Sequence, residues 1–270
     1  MIKKPKVSVI MGVYNAEKTL VESLDSLLNQ TFQDFNIIAC DDGSTDKSLE
    51  MLNSYQSLYK DKIIVLENKI NKGLNYTLNH CLEHATGEYV ARMDADDVSL
   101  PMRFEKQVFF LDENKEYAVV SSPMIYFDET GDWGVGHPAE FPQKETFCKR
   151  TPFAHAPSMI RLEAFQAVEG YTVHKKLLRL EDYHLWIKMY DKGYIGCNLN
   201  EPLYKMRDDH NAYSRRSFKA RKNEMYVKYL ALKTFKLPWY NIFSVIKPII
   251  LFFVPKFLYN KLHKKRLNIN

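Results

Sequence analysis

The sequence predicts an α/β protein in which a mainly parallel sheet is flanked by helices. Over about the first 120 residues, short apolar runs alternate with segments whose apolar residues recur at helical spacing, an order typical of parallel strands joined by helices. The first apolar run, Val7–Val13, is continuous, as expected of a strand that is covered on both faces. With 270 residues, the chain is long enough for a compact domain and an appendage.

Strands and helices are predicted to alternate regularly in this region. After the first strand, the predicted strands are residues 35–40, 62–66 and 88–93. The predicted helices are residues 17–30, a helix that carries Leu49 and Leu52 on one face, residues 73–85, and a helix that begins at Pro101. Ligands of such sheets bind beyond the carboxyl ends of the strands. Acidic clusters follow the second and the fourth predicted strand, so we expect the functional site there.

The pattern becomes irregular after residue 120, where short strands and turns are predicted. The predicted elements are loops at 132–134 and 136–138, a strand at 158–161 and a short helix at 162–168. Residues 181–192 are predicted to form an amphipathic helix. Trp186 lies on its apolar stripe and is therefore expected in the core rather than on a substrate surface.

Basic charge is concentrated at the C-terminal end. Residues 201–270 contain 16 Lys and Arg against 4 Asp and Glu, whereas the other 200 residues contain 22 and 29. From Phe218 the chain is predicted to be helical, and residues 237–255 are apolar but interrupted by Lys247 and two prolines. A spanning helix needs about 20 mostly apolar residues. We therefore predict that residues 216–270 associate with an anionic membrane surface, with packing on the rest of the chain as the alternative; no aromatic-interleaved RNA motif supports nucleic-acid binding.

The cysteines and the N-terminus indicate a cytoplasmic protein. The four cysteines have no metal-ligand spacing and are predicted to be reduced and mostly buried; they are Cys40, Cys81, Cys148 and Cys197. The first apolar run is too short and β-branched for a signal peptide, and no small-residue cleavage site follows it. We expect a protein at the inner face of the cell membrane, held there peripherally by its C-terminal segment.

The strongest chemical signal is the run Asp94-Ala95-Asp96-Asp97. Three neighbouring carboxylates repel one another unless a cation neutralises them, and hard oxygen ligands suit Mg²⁺ or Mn²⁺ that also bridge to substrate phosphates. A structural alternative is a loop in which Asp97 or Ser99 caps the next helix. The acidic turn at residues 41–46 has a similar alternative, a plain Asx turn. Two such turns at neighbouring strand ends favour one shared site for a nucleotide and a metal ion.

A series of short motifs occurs in order along the chain: VSVIMGVYN at 7–15, DDGSTD at 41–46, NKG at 71–73 with Asn79, GEY at 87–89, DADD at 94–97, and Glu181-Asp182 before Leu185-Trp186. Taken together, these motifs resemble those of the family 2 glycosyltransferases, which have the GT-A fold. The resemblance runs from about residue 6 to residue 214. Within the family, the bacterial capsule, exopolysaccharide and O-antigen enzymes, including the amylovoran-type group, share the stretches 92–104 and 152–159.

The resemblance implies an inverting, metal-dependent transfer of one sugar from a UDP- or dTDP-sugar to an acceptor hydroxyl, in a lipid-linked saccharide of a bacterial surface polysaccharide. Asp182 would be the catalytic base, and Asp96 would bind Mn²⁺ or Mg²⁺. Residues 1–215 would form the catalytic domain, with the nucleotide-sugar in the half 1–120 and the acceptor in the half 121–215. The signature Gln-x-x-Arg-Trp of processive polymerases is absent, so one sugar is added per encounter.

The same resemblance assigns further site residues. The residues that would bind the nucleotide-sugar are Tyr14, Asp42, Asp94, Arg207 and His210. The segment 204–210 departs from the family's Tyr-Arg-x-His form, because Lys205 stands in place of the arginine and the histidine comes later. The acceptor-site candidates are His155 and Glu181. A structural hydrogen-bonding role is the alternative for His155, and helix capping for Glu181 and Asp182.

Two other enzyme classes and one non-enzymatic function compete with this interpretation. A nucleotidyltransferase or a dehydrogenase needs a glycine-rich phosphate loop after the first strand, and the sequence there is Gly12-Val13-Tyr14-Asn15. The remaining alternative is a catalytically degenerate transferase that serves as a membrane-bound scaffold of a polysaccharide assembly complex. The intact carboxylates at the predicted site argue against it.

Overall fold

The computed structural model of the protein describes residues 4–208 and 217–253. Its strands are β1 (Val7–Val13), β2 (Phe35–Asp41), β3 (Ile63–Glu67), β4 (Tyr89–Asp94), β5 (Val98–Ser99), β6 (Tyr117–Ser121), β7 (Met124–Asp128), β8 (Gly131–Val135), β9 (Met159–Arg161), β10 (Ile195–Asn198) and β11 (Tyr204–Arg207). Its helices are α1 (Leu20–Leu28), α2 (Ser48–Leu58), α3 (Leu74–Glu83), α4 (Arg103–Glu113), α5 (Thr146–Lys149), α6 (Leu162–Ala167), α7 (Glu181–Asp191), α8 (Phe218–Thr234) and α9 (Ile242–Phe252). The elements predicted before residue 120 are all present, with ends that differ by a few residues.

The central sheet has seven strands in the order β10-β6-β9-β4-β1-β2-β3. All neighbouring pairs are parallel except those of β9, which runs antiparallel between β4 and β6. The core lies on both faces, because Ile10 of β1 packs into one buried cluster while Val9 and Met11 pack into the other. This two-sided burial explains the uninterrupted apolar run of β1.

A second, four-stranded sheet has the order β5-β11-β7-β8. It contradicts the loop predicted at residues 132–134, because β8 there pairs antiparallel with β7 and Trp133 stacks on Tyr126. The glycines around Trp133 suggested a turn. Only Gly131, at φ +118°, has a backbone conformation of that kind, and the hairpin turn precedes β8.

The C-terminal helices pack on the rest of the described chain. Val227 and Ala231 of α8 are buried, and the ring of Phe235 lies edge-on to Phe147 at 5.1 Å. Val245 of α9 is also buried. Within the ranges that the structure describes, no helix combines the length and the apolar character needed to cross a bilayer.

The four cysteines are buried and unpaired, as predicted. Trp186 is fully buried in the cluster that contains α7, which confirms its assignment to the core.

Candidate active site

The loops that follow β1 and β2 are joined by side-chain hydrogen bonds. Asn15 has a left-handed backbone, φ +50°, which asparagine tolerates better than most residues. Its Oδ1 accepts from the backbone N–H of Thr45 at 2.8 Å, and its own N–H donates to Ser44 Oγ at 3.0 Å. The Oγ of Ser48 accepts from the backbone N–H after Asn15. Tyr14, with half of its surface exposed, is held at the rim of this paired loop.

Asp42 lies under these loops and is only 4% exposed. Its carboxylate accepts from Asn68 Nδ2 at 2.9 Å and from the backbone N–H groups of Lys72 and Gly73, both at 2.8 Å. Asp42 therefore holds the segment that leads into α3 against the end of β2. Its neighbour Asp41 accepts from the backbone N–H of Ser44, three residues on, so Asp41 stabilises the acidic turn but does not form the plain Asx turn, which reaches two residues on.

No role was predicted for Arg92, which is buried in β4 close to the acidic run. It forms an ion pair with Asp94 and donates to the carbonyl of Met93. Burial is the largest single influence and lowers the pKa of Arg92, but the charge of Asp94, the hydroxyls of Tyr171 and Tyr204 and the hydrogen bond to Asp94 together outweigh it, so the pKa is raised. A charged residue within an apolar strand sequence is expected to be paired when the strand is buried, and that signal was available from residues 89–93.

Asp97 of the acidic run connects two strands through its side chain. Its Oδ1 accepts from the backbone N–H of Arg207 at 2.8 Å, which ties β11 to the end of β4. Burial, followed by the charges of Asp94 and Asp96, raises the pKa of Asp97 well above its usual range. The capping alternative is wrong, because α4 begins after Met102. Ser99, its other candidate, instead lies in β5.

Asp96 is the exposed member of the run, and its carboxylate accepts no hydrogen bond from another of the described residues; only its backbone carbonyl does. Although solvent reaches it, the surrounding cleft removes part of its hydration. This loss and then the charge of Asp94 raise the pKa of Asp96. Its carboxylate is therefore positioned to accept a cation from the solvent side.

Within residues 4–208 and 217–253, no group of three His, Cys, Asp or Glu side chains is arranged to hold a metal ion by itself. Mg²⁺ and Mn²⁺ are commonly held by one or two carboxylates together with substrate phosphates and water. Exposed Asp96 beside Asp94 fits such a shared site. These two residues would supply carboxylate oxygens, and a substrate diphosphate and water molecules would supply the remaining metal ligands.

Arg207 lies next to the acidic run. Its Nε donates to the carbonyl of Asp96 at 3.1 Å, and its guanidinium forms an ion pair with Glu22 and lies 4.5 Å from the centroid of the Phe127 ring. This position suits contact with a phosphate group near Asp96. The other predicted residue of this segment, His210, lies outside the described residues.

Asp182 and Glu181 occupy the first turn of α7. Burial, followed by the charge of Glu181, raises the pKa of Asp182 to about 7. The backbone N–H groups of Tyr183 and Asp182, and then the charge of Arg92, oppose this shift. Neither acidic residue is the helix N-cap, which is Leu180. A carboxylate whose pKa is near neutrality is suited to proton transfer.

His155 lies near both α7 and β4. Its Nε2 is 2.8 Å from the hydroxyl of Tyr171, and its ring packs edge-on to Trp186. Burial and then the charge of Arg92 lower its pKa well below the usual value, so the ring is neutral. The hydrogen-bonded structural role is therefore present, and an acceptor contact would have to be made in addition to it.

Four of the predicted acidic residues lie near Arg92. Arg92 is the common neighbour, since its charge influences the pKa values of Asp96, Glu181 and Asp182 and it is paired with Asp94. Carboxylates from β4, the following loop and α7 thus surround one buried guanidinium at the carboxyl ends of the strands.

Solved structures share this architecture. Chain 1–349 of TarS from S. aureus, in complex with UDP-GlcNAc, superposes with a TM-score of 0.66 at 21% identity, covering 82% of this chain and 65% of that one. The mannosyltransferase PcManGT from Pyrobaculum calidifontis, in complex with GDP-Man and Mn²⁺, gives 0.61 at 18% identity, covering 92% and 75%. At these identities the likeness establishes the fold, which is of the GT-A type.

Sequence relatives establish the family. EpsE of Bacillus subtilis, assigned as a glycosyltransferase, is 43% identical over 97% of this chain and 95% of its own length. The amylovoran biosynthesis glycosyltransferase AmsE of Erwinia amylovora is 34% identical over 74% of this chain and 75% of its own. The sequence profile described as glycosyl transferase family 2 matches residues 8–169. The chain is therefore a glycosyltransferase of family 2.

Proposed function

We propose that the protein is an inverting, metal-dependent glycosyltransferase that moves one sugar from a UDP- or dTDP-sugar to a hydroxyl of a lipid-linked saccharide in bacterial surface polysaccharide synthesis. The observation that carries this proposal is the grouping of Asp94, Asp96 and Asp182 around Arg92. The name of AmsE supports a polysaccharide product, the bound UDP-GlcNAc of TarS supports the donor class, and the Mn²⁺ of PcManGT supports the metal.

The donor side of the site would stabilise the leaving diphosphate. Asp96 would hold a divalent cation, which when bound would supply fixed positive charge where negative charge develops. Asp94, paired with Arg92, would face the ribose and the metal site, while Tyr14 and Asp42 would bind the nucleobase. Residues 1–120 would form this half.

The acceptor side would remove the proton of the attacking hydroxyl. Asp182 is the base that we assign, because its environment raises its pKa to about 7 and it lies in reach of the charge of Arg92. A single displacement assisted by a single base inverts the configuration at the anomeric carbon, whereas retention by a covalent intermediate needs a second carboxylate as nucleophile. Residues 121–215 would form this half.

A hydrolysis screen tests the function directly. Purified full-length protein is incubated with UDP- and dTDP-sugars and Mn²⁺ in the absence of acceptor, and released nucleotide is measured. We expect slow hydrolysis of one donor or a small group of donors. If no nucleotide-sugar is hydrolysed at all, the catalytically degenerate scaffold is the better account.

Asp42→Ala is expected to weaken binding of free UDP by roughly 10–100-fold, the effect of losing a hydrogen bond to a charged group. The carboxylate holds Asn68 and the backbone of Lys72 and Gly73, so its removal would also loosen the segment that frames the nucleotide. Isothermal titration calorimetry measures the change. Asp61→Ala, an exposed aspartate ahead of β3, is the matched control. Unchanged UDP affinity in Asp42→Ala would contradict the nucleotide role.

We also propose that residues 216–270 associate with an anionic membrane surface, and the apolar side chains that the C-terminal helices expose support this. Beside the buried Val245, residues 239–253 leave large side chains in solvent, among them Trp239 at 76% and Phe253 at 73% exposure. We call this set the exposed apolar surface; it consists of Trp239, Tyr240, Phe243, Ile250 and Phe253. Aromatic side chains of this kind favour the headgroup boundary of a bilayer. Basic residues of 201–270 would meet anionic lipid there.

The double variant Trp239→Ser and Phe243→Ser is expected to weaken vesicle binding at least about tenfold, since each side chain loses apolar burial. Co-sedimentation with phosphatidylcholine vesicles, with and without phosphatidylglycerol, measures the effect. Phe109→Ser on α4, where the side chain is 69% exposed, is the matched control. Salt should release the wild type only in part, because apolar contact remains. If the wild type ignores the anionic vesicles, the membrane proposal is wrong.

A further inference from the structure

A cleft of about 400 Å³ lies between the four-stranded sheet and the segment before β9. We call it the small-sheet cleft; its lining includes Met124, Tyr126, Trp133, Arg150, Met206 and Asp208. Its volume and its mixture of aromatic and polar side chains are those of a small-molecule site. None of these residues has a role in donor binding or proton transfer as described above.

Both walls of the cleft lead to the catalytic centre. Side chains alternate along a strand, so Met206 points to the same face of β11 as Tyr204. The hydroxyl of Tyr204 accepts from the backbone N–H of Asp94 at 3.2 Å. The opposite wall ends at Ala154, which directly precedes His155. A molecule in the cleft would therefore extend towards Asp94 and α7.

The chemistry of the cleft combines aromatic faces with a buried acceptor. The rings of Tyr126 and Trp133 are stacked with centroids 5.2 Å apart, and the indole N–H of Trp133 donates to the carbonyl of Asp208 at 3.2 Å. The Oδ1 atom of Asp208 is buried, and no hydrogen-bond donor from the described residues reaches it. A buried carboxylate oxygen without a donor is costly. Because Asp208 lines the cleft, rotation of its side chain would let a ligand hydroxyl donate to this carboxylate.

We propose that the small-sheet cleft binds a pyranose ring of the saccharide acceptor, with the Tyr126–Trp133 pair as a stacking surface and Asp208 as the acceptor of a sugar hydroxyl. A pyranose presents C–H groups on its face and hydroxyl donors at its edge, which matches the two chemical features of the cleft. The proposal rests on the proposed function, because the cleft matters as an acceptor site only if a sugar is transferred.

Binding of simple glycosides tests the cleft separately from catalysis. Octyl glucoside, octyl galactoside and octyl N-acetylglucosaminide, kept below micelle formation, are titrated into the full-length protein with UDP and Mn²⁺ present. We expect at least one to bind the wild type and Trp133→Ala to weaken that binding at least about tenfold. Asp208→Ala should weaken it to a similar extent. The backbone of residue 208 should stay in place in this variant, because its N–H donates to the carbonyl of Phe127.

Two further variants distinguish a stacking role from a structural one. Trp133→Phe keeps an aromatic face and loses the indole N–H, so it should retain most of the affinity. Phe141→Ala removes a half-exposed aromatic side chain outside the cleft and should leave the affinity unchanged. Thermal melting shows whether each variant is folded.

The outcomes separate the two proposals. If no glycoside binds the wild type, or if Trp133→Ala and Asp208→Ala both bind as well as the wild type while folded, the pyranose site is wrong. If Phe141→Ala weakens binding as much as Trp133→Ala, the effect is not specific to the cleft and the proposal also fails. The donor hydrolysis of the wild type decides the proposed function whatever these titrations show.

Discussion

Asp182→Asn is expected to lower the rate of sugar transfer by roughly 10²–10⁴-fold, the range that general-base catalysis contributes. The amide has nearly the shape of the carboxylate and cannot take a proton from the acceptor hydroxyl. Donor binding should survive, because the donor contacts that we assign come from other elements. Asp191→Asn, at the exposed far end of the same helix, is the matched control. Transfer and UDP affinity are measured for both variants.

The pH profile gives this prediction a second readout. Burial and Glu181 raise the pKa of Asp182 to about 7, so kcat/KM should rise with pH and level off above neutrality as the base ionises. The observed pKa belongs to the Glu181–Asp182 pair, because the two carboxylates interact. Asp182→Asn should remove this rise. Near-normal turnover in Asp182→Asn would mean that another residue is the base, and Glu181 would be tested next.

The same shift predicts an effect on stability. The pKa of Asp182 is higher in the folded chain, about 7, than its ordinary value of 3.8. The folded state therefore holds this proton more tightly, and the free energy of unfolding falls as pH rises through that interval. Above neutrality, Asp182→Asn removes the cost of the buried charge. The variant should then be at least as stable as the wild type in thermal melting above neutral pH. That result would exclude misfolding as the cause of its lost activity.

The first half of the fold was predictable because its signals are local. The run Val7–Val13 and the helical spacing of Leu20, Leu24 and Leu27 need no distant partner to be recognised, and the structure confirms both elements. The four-stranded sheet was not predictable in this way. Its strands are only two to five residues long, and β11 pairs with β5 and β7, which precede it by a large part of the chain. For β8 the partner is the neighbouring β7, but the glycines on both sides of Trp133 made this strand look like a turn.

The site residues differ in the same way, because some have a local sequence signal and others depend on contacts with distant parts of the chain. Asp96 and Asp182 were singled out because acidic residues at strand and helix ends, in a recognisable order, indicate chemistry without any knowledge of contacts. Arg92 received no role, because its importance depends on which carboxylates fold around it. The role considered for Asp97 was capping of the next helix. Its actual contact, a backbone N–H donated by Arg207 of β11, comes from a distant part of the chain and cannot be recognised from the acidic run alone.

Asp96→Ala is expected to lower transfer at least about 100-fold, the effect of removing one strong element that stabilises developing charge. The wild type should lose activity in excess chelator and regain it with Mn²⁺ or Mg²⁺. Metal binding is measured independently of turnover by electron paramagnetic resonance of Mn²⁺. Because the described residues form no metal cage by themselves, Mn²⁺ should bind weakly to the protein alone and more tightly when UDP is present.

Asp96→Ala should abolish the effect of UDP on Mn²⁺ affinity, whereas the surface variant Asp61→Ala should retain it. This comparison separates a metal ligand from a residue that merely supports the loop. The carboxylate of Asp96 accepts no hydrogen bond from another described residue, so its removal disturbs few protein contacts and the variant should melt at nearly the wild-type temperature. Full transfer activity in excess chelator would overturn the assignment of Asp96 as a metal ligand, and it would leave Arg207 as the principal cation for the leaving diphosphate.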